Sequence, residues 1–187
     1  MSGLRKKILD VASELFQTRG INSTGVDTIV AVAGTTKMTL YKHFKTKEGL
    51  ILEVLQQRNQ EFLDWLKQKL SGAEKTPQQK LQRLFDYIEE WMAAPGFRGM
   101  PSLKASSEFP NEENPVHRLS NEHALQFRQY LTTLTREANA RDPEMLALQL
   151  SLLIEGAMLA EQMKRGSGAA KHAKKAARVL IEAAVDK

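Results

Sequence analysis

The sequence contains no cysteine among its 187 residues. Without thiols the chain cannot form disulfides, bind zinc through thiolates or use a cysteine nucleophile. It also lacks an uninterrupted run of about 18 apolar residues, so we expect no membrane-spanning helix. The N-terminal residues mix polar and apolar types at helical spacing and contain no secretion-type apolar run, which favours a cytoplasmic protein.

Sequence motifs of common enzymes are missing as well. We find no glycine-rich phosphate loop, no H-E-x-x-H zinc motif and no G-x-S-x-G nucleophile motif. The histidines His43, His117, His123 and His172 are scattered, and none has a second histidine three or four residues away, as a helical metal site would require. We therefore expect a protein that is not an enzyme and holds neither a metal nor a cofactor.

The charge is distributed unevenly along the chain. Residues 1–50 carry 8 Lys/Arg and 4 Asp/Glu, residues 51–163 carry 12 and 16, and residues 164–187 carry 7 and 2. A basic end can bind nucleic-acid phosphates or an anionic membrane surface, but solvated helix faces are also charged. The first helix lacks a basic face opposite bulky aromatic residues, which disfavours the membrane alternative. Charge alone leaves DNA binding and simple solvation open.

Apolar residues recur at intervals of three and four throughout, and no alternating strand pattern is present. The sequence predicts an all-α chain of about nine helices. They are expected at residues 4–19, 26–34, 37–44, 46–70, 77–94, 102–108, 115–140 and 143–164, with one more after Gly168. The segment 71–77 breaks the chain, and residues 95–115 are irregular apart from the short helix.

The stretch from residue 24 to residue 47 predicts two short helices joined at Gly34, where a left-handed backbone is cheap for glycine. Thr24 is the expected N-cap of the first, with Asp27 completing a capping box. Leu40 and Phe44 would face inward from the second. Its outward face offers hydrogen-bond donors, and no acidic residue occurs between positions 28 and 47. This pattern favours a helix-turn-helix over an ordinary helical hairpin, which stays the alternative. The donors are Lys37, Thr39, Tyr41, Lys42 and His43.

The pattern from Val26 to Leu50 (V-D-x-I-V-x-x-A-G-x-T-K-x-T-L-Y-K-H-F-K-T-K-E-x-L) resembles the tetracycline-repressor (TetR) family. The resemblance covers about the first 50 residues strongly. It implies a three-helix DNA-binding domain at residues 1–47 and a larger helical ligand-binding and dimerisation domain at residues 48–187. It also implies a transcriptional regulator, usually a repressor, that binds palindromic operator DNA as a homodimer and is released by a small molecule.

The resemblance also implies roles for single residues of the DNA-binding domain. Lys37 and Thr39 would lie over base edges. Met38 stands where many members have glycine, and it could touch a thymine methyl group or crowd the groove. Val30 replaces a usual alanine, which changes packing only. The phosphate-binding set would be Thr24, Thr36, Tyr41, Lys42, His43 and Lys47.

A dimer surface is expected in residues 143–185. The helix at 143–164 is apolar nearly all round, and a helix without a polar face must be covered on more than one side. Gly156, Ala157 and Ala160, together with the alanines of the last helix, would allow helices of two subunits to cross closely. The alternative is that both helices only close the core of their own subunit.

Large apolar side chains around the irregular segment predict an effector site, with a few polar groups to orient the bound molecule. Such a lining suits an apolar or aromatic compound. For each residue, membership of the core is the alternative. The predicted lining is Phe62, Tyr87, Trp91, Met92, Phe97, Met100, Leu103, Phe109, His123, Phe127, Glu155, Met158 and Gln162.

Overall fold

The computed structural model describes residues 3–72 and 76–185, and these ranges are helical with no strand. A single isolated bridge pairs Ala140 with Val185 in the same ranges. The all-α prediction of about nine helices is confirmed. The helices are α1 (Gly3–Arg19), α2 (Val26–Ala33), α3 (Lys37–Phe44), α4 (Lys47–Leu70), α5 (Pro77–Ala93), α6 (Pro101–Glu108), α7 (Pro115–Glu137), α8 (Pro143–Met163) and α9 (Ala169–Ala184).

Among the described residues, one helix boundary differs from the prediction by more than one residue. Helix α7 ends at Glu137 and not at residue 140, because Asn139 adopts a left-handed backbone (φ 54°) and Ala140 pairs with Val185. The break between α4 and α5 was expected at residues 71–77, and its centre, residues 73–75, lies outside the described residues.

The chain divides into two compact units. Unit 1 comprises Met1–Glu61 and Pro101–His123, and unit 2 comprises Phe62–Met100 and Ala124–Lys187. Helix α4 therefore contributes to both units, and α6 belongs to the same unit as the N-terminal helices. These bounds differ from the predicted functional domains at 1–47 and 48–187, whose division stays a prediction.

The core of unit 1 is built from the inner faces of α1 to α4, as their apolar periodicity predicts. Apolar residues of the 101–123 segment complete it, and their place there was not visible in the sequence. The buried set includes Ile8, Ala12, Phe16, Ile29, Ala33, Leu40, Phe44, Leu50, Val54, Ala105, Val116 and Leu119.

Hydrogen bonds hold α6 against the end of α1. The Glu108 carboxylate accepts from the backbone N–H groups of Ile21 (3.0 Å) and Asn22 (2.7 Å), and Asn22 Nδ2 donates to the Glu108 carbonyl oxygen (3.0 Å). Lys104 Nζ donates to two carbonyl oxygens in the last turn of α1, at 3.2 and 3.0 Å. Phe16 O also accepts from Gly20 N (3.1 Å), so Lys104 adds a second donor there and supplies a donor to Gln17 O in the last turn of the helix.

Replacing Glu108 with alanine should destabilise unit 1 by about 1–2 kcal/mol, because two backbone donors lose their acceptor. Chemical denaturation would measure the loss, and hydrogen exchange should show reduced protection of the Ile21 and Asn22 amides. Glu112→Ala is the matched control, since Glu112 is an exposed residue of the same segment. Equal stability and exchange in both variants would contradict the role assigned to Glu108.

Unit 2 packs α5, α8 and α9 around a common core, to which α7 and the end of α4 contribute. The connection between α8 and α9 is anchored by Glu161, whose carboxylate accepts from Gly166 N (2.6 Å), Ser167 N (3.0 Å) and Ser167 Oγ (2.7 Å). These hydrogen bonds, that of the Ser167 hydroxyl foremost, hold the pKa of Glu161 below its ordinary value.

Candidate nucleic-acid interface and effector site

The turn between α2 and α3 has the geometry that its sequence predicts. Gly34 follows α2 in a left-handed conformation (φ 66°), and its N–H donates back to carbonyls of the last turn. Thr36 is the N-cap of α3, and its hydroxyl accepts from Thr39 N at 3.2 Å. Leu40 and Phe44 are buried, as predicted. The short helix α3 therefore packs with its apolar side against α2.

The outward face of α3 is open to solvent within unit 1. Met38 is 80% exposed, and Thr36, Lys37, Tyr41 and Lys42 are exposed as well. Thr39 and His43 are half-buried. The face is therefore accessible, as DNA contact requires.

Two residues expected to bind phosphate have other partners. Thr24 is 0% exposed, and its hydroxyl donates to Gly20 O (2.6 Å), so its predicted phosphate contact was wrong. Its role as N-cap was also wrong: Gly25 occupies that position and has no side-chain cap. Lys47 is half-buried and donates to Ile21 O (3.0 Å), which leaves it only partly available for a phosphate.

An ion pair links α2 and α3 at this surface. Lys37 Nζ lies 2.7 Å from Asp27 Oδ1, and both side chains are exposed. The hydrogen bond that Lys37 donates to the Asp27 carboxylate raises the pKa of Lys37 above its ordinary value. The sequence did not indicate this ion pair, because Asp27 was expected to complete a capping box.

An aromatic cluster forms in unit 2. Phe62 is its hub, with ring centroids 4.9 Å from Trp91, 5.7 Å from Phe127 and 6.1 Å from Trp65. Trp91 in turn meets Phe97 edge-on at 5.0 Å. Trp65 was missed in the predicted lining, although it lies three residues after Phe62 and so on the same face of α4. Four of the predicted residues are thus brought together.

Comparisons with known proteins agree with this geometry. Residues 8–54 match the family model described as bacterial regulatory proteins, tetR family. The chain is 22% identical over 154 residues to the HTH-type transcriptional regulator YjdC of Escherichia coli, a match covering 82% of this chain and 81% of that one. Over 68 residues it is 43% identical to the HTH-type transcriptional regulator QacR of Staphylococcus aureus, covering 36% of each chain.

Similarity extends over the whole fold. A TetR-family transcriptional regulator from Streptomyces coelicolor superposes with a TM-score of 0.88 and 26% identity, covering 100% of this chain and 98% of that one. Residues 8–54 are a TetR-family helix-turn-helix. The whole chain has the fold of TetR-family transcriptional regulators, which are DNA-binding proteins and not enzymes.

The other predicted effector-site residues fall in different places. Leu103, Phe109 and His123 belong to unit 1, so they are not part of the unit 2 cluster. Burial lowers the pKa of His123 to about 4, so its imidazole is neutral at physiological pH. It therefore cannot attract an anion by charge.

The remaining predicted residues lie in unit 2. Met92 and Met158 are buried in its core, while Tyr87 and Met100 pack against that core. Glu155 is half-buried, and burial raises its pKa, opposed by the charge of Arg128. Gln162 is exposed. The predicted apolar residues of unit 2 therefore share its core, whereas Glu155 and Gln162 are not part of that core.

A groove of about 890 Å³ lies between α5 and α9 in unit 2, away from the residues predicted to bind an effector. Its floor is apolar, with Phe85, Ala177 and Ile181, and its rim is mostly charged. Lys174 on that rim is paired with Asp86 at 2.5 Å. The TetR-family sequence pattern did not indicate this groove.

Proposed function

We propose that the protein is a cytoplasmic repressor that binds palindromic operator DNA as a homodimer and is released by a small apolar or aromatic effector. The observation that carries the DNA-binding part is α3 itself, an accessible donor-bearing face braced by buried Leu40 and Phe44. A helix with these features fits the major groove of B-DNA. The domain at residues 1–47 would bind DNA, and residues 48–187 would bind the effector and form the dimer.

Within this proposal the α3 residues have separate tasks. Lys37 and Thr39 read base edges, and Met38, which is 80% exposed, contacts a thymine methyl group. Tyr41 and Lys42 hold phosphates together with Thr36 and His43. Contacts to phosphates position the protein, whereas contacts to base edges select the sequence.

Two single substitutions should separate these tasks. Tyr41→Ala should weaken binding to all duplexes alike, while Lys37→Ala should relax sequence choice at one base pair by about 1–3 kcal/mol. Gel shifts with the operator, obtained by selection from random DNA, and with its single-base variants would measure both effects.

Circular dichroism should show that both variants remain folded, because the two side chains are exposed. Binding that does not depend on sequence in the unsubstituted protein would contradict the proposed function. Lys37→Ala that weakens all duplexes equally would reassign Lys37 to a phosphate.

The dimer is proposed to form through α8 and α9. Helix α8 has a buried face in the core of unit 2 and a second, exposed apolar face. Among the described residues, it is also the one helix long and apolar enough to cross a membrane, by length and composition alone. Since the relatives are DNA-binding regulators, a second copy of the chain is the proposed cover. The exposed apolar stripe comprises Met145, Leu152, Leu159 and Met163 of α8 with Val179 of α9.

For the alanines of α9, the two alternatives are a contact between subunits and a place in the core of their own subunit. Ala173 and Ala177 are buried in the core of unit 2, which favours the alternative that they close the core of their own subunit. The same holds for Ala157 of α8, which is buried in that core. Gly156 is exposed, with open space where a Cβ would lie, and stays available for close crossing.

The effector is proposed to bind at the half-buried rings of the aromatic cluster, those of Phe62, Trp65 and Trp91, while the buried Phe127 belongs to the core. Aromatic rings at these separations present flat apolar surfaces, which suit an apolar or aromatic molecule. Binding there would act on DNA only by favouring one conformation of the protein over another. The chain passes between the units three times, within α4, directly before α6 and within α7, and α6 is bonded to the end of α1. These connections are the proposed routes by which effector binding in unit 2 would reach the DNA-binding helices of unit 1.

A further inference from the structure

Asp27 places a negative charge beside α3. It is the only acidic residue between Glu14 and Glu48, and it lies in the first turn of α2. Its partner Lys37 is the first residue of α3, and the two charged groups are 2.7 Å apart. A negative charge is thus retained beside the helix that the proposed function places against a polyanion.

Stability of the fold does not explain the pair. Both side chains are exposed, and exposed ion pairs contribute little because water screens them and long side chains lose entropy. A carboxylate near a helix N-terminus does favour the helix dipole, which is the structural role that a test must separate. That role concerns Asp27 and α2 alone, and it does not require Lys37.

The pair does change what Lys37 offers to DNA. A lysine already bonded to a carboxylate must give up that bond before it can neutralise a phosphate. Any duplex presents phosphates, but only some sequences present a base edge, such as guanine O6 and N7, that Lys37 can bind at this position. The cost of breaking the pair therefore falls on every duplex, whereas the compensating base contact is specific to the operator.

We propose that Asp27 is a specificity-determining residue: it competes with DNA for Lys37 and so suppresses binding to non-operator sequences. This inference rests on the proposed function of α3. Asp27 acts as a positioning residue for Lys37, and on this account it does not itself contact the operator.

The test compares Asp27→Asn with the unsubstituted full-length protein over a series of salt concentrations. The probes are the operator duplex obtained by selection and a scrambled duplex of equal length. The variant should bind the scrambled duplex roughly fivefold more tightly, as expected when one unit of negative charge near a phosphate is removed. The slope of log K against log salt should steepen by about 1, because Lys37 becomes an additional phosphate ligand. Operator affinity should rise less, so the specificity ratio falls.

Asp10→Asn is the matched control. It makes the same charge change in unit 1 by breaking the exposed pair Lys6–Asp10 on α1, but it frees no cation on α3. Asp27→Glu retains the charge and should restore the discrimination. A role limited to the α2 dipole would alter the melting temperature of Asp27→Asn without altering its salt slope or specificity ratio.

The outcomes separate the two proposals. Equal salt slopes and specificity ratios for Asp27→Asn and Asp10→Asn would overturn the role of Asp27. If Lys37→Ala still relaxes sequence choice in that case, the proposed function stands. A protein without sequence-specific binding in its unsubstituted form would overturn the proposed function itself.

Discussion

Leu152→Glu should convert the protein into a monomer and lower its operator affinity on the order of 100-fold or more. Leu152 lies on α8 and is 57% exposed, in a stripe of exposed apolar side chains. In a dimer formed through this stripe, the substitution would bury an unpaired carboxylate, which is strongly unfavourable. In the proposed dimer each subunit would read one half-site, and linkage of the two half-sites would supply the affinity that a monomer lacks.

Sedimentation velocity would report the oligomeric state, and gel shifts with full and half operators would report binding. Leu125→Glu is the matched control, because Leu125 is 52% exposed on α7, outside the proposed interface. It should leave the dimer and operator binding intact. A Leu152→Glu protein that remains dimeric would show that the interface lies elsewhere.

Phe127→Ala should reduce the free energy of unfolding by about 3–5 kcal/mol. Phe127 is 2% exposed, and its ring is packed against Phe62, so truncation removes apolar contacts and leaves a cavity. The sequence left open whether this residue is core or lines an effector site. A side chain that already borders an open site would leave less new cavity, and its truncation would cost about 1 kcal/mol or less.

Urea denaturation followed by circular dichroism would measure the difference, at one fixed protein concentration because dimer stability depends on concentration. Leu125→Ala, two residues earlier on α7, should stay within about 0.5 kcal/mol of the unsubstituted protein because its side chain is exposed. A small loss for Phe127→Ala would indicate that Phe127 lines the effector site instead of the core.

The helices themselves could be predicted from the sequence because the determinants are local. Apolar spacing of three and four residues marks the inner faces, and Gly34 marks the α2–α3 turn through its left-handed backbone. Leu40 and Phe44, four residues apart, could be assigned to the core on spacing alone. The accessible face of α3 follows from the same spacing, because residues that do not share the apolar face of a helix point away from the core.

Thr24 shows where local reasoning was insufficient. A threonine just before a helix is a good N-cap by propensity, but its hydroxyl donates to the Gly20 carbonyl and its side chain is buried. Spacing in the sequence describes neighbours along one helix. It does not describe which acceptor a folded turn will bring closer.

The sequence by itself determined the helical class, the helix-turn-helix and the family, because each depends on periodicity and on motifs within about 50 residues. The tertiary structure alone decided that α6 packs in unit 1, that Asp27 holds Lys37, and which predicted effector residues share a cluster. These features join groups that the periodicity of a single helix does not relate. Such contacts form only when the chain has folded and apolar burial has selected the partners.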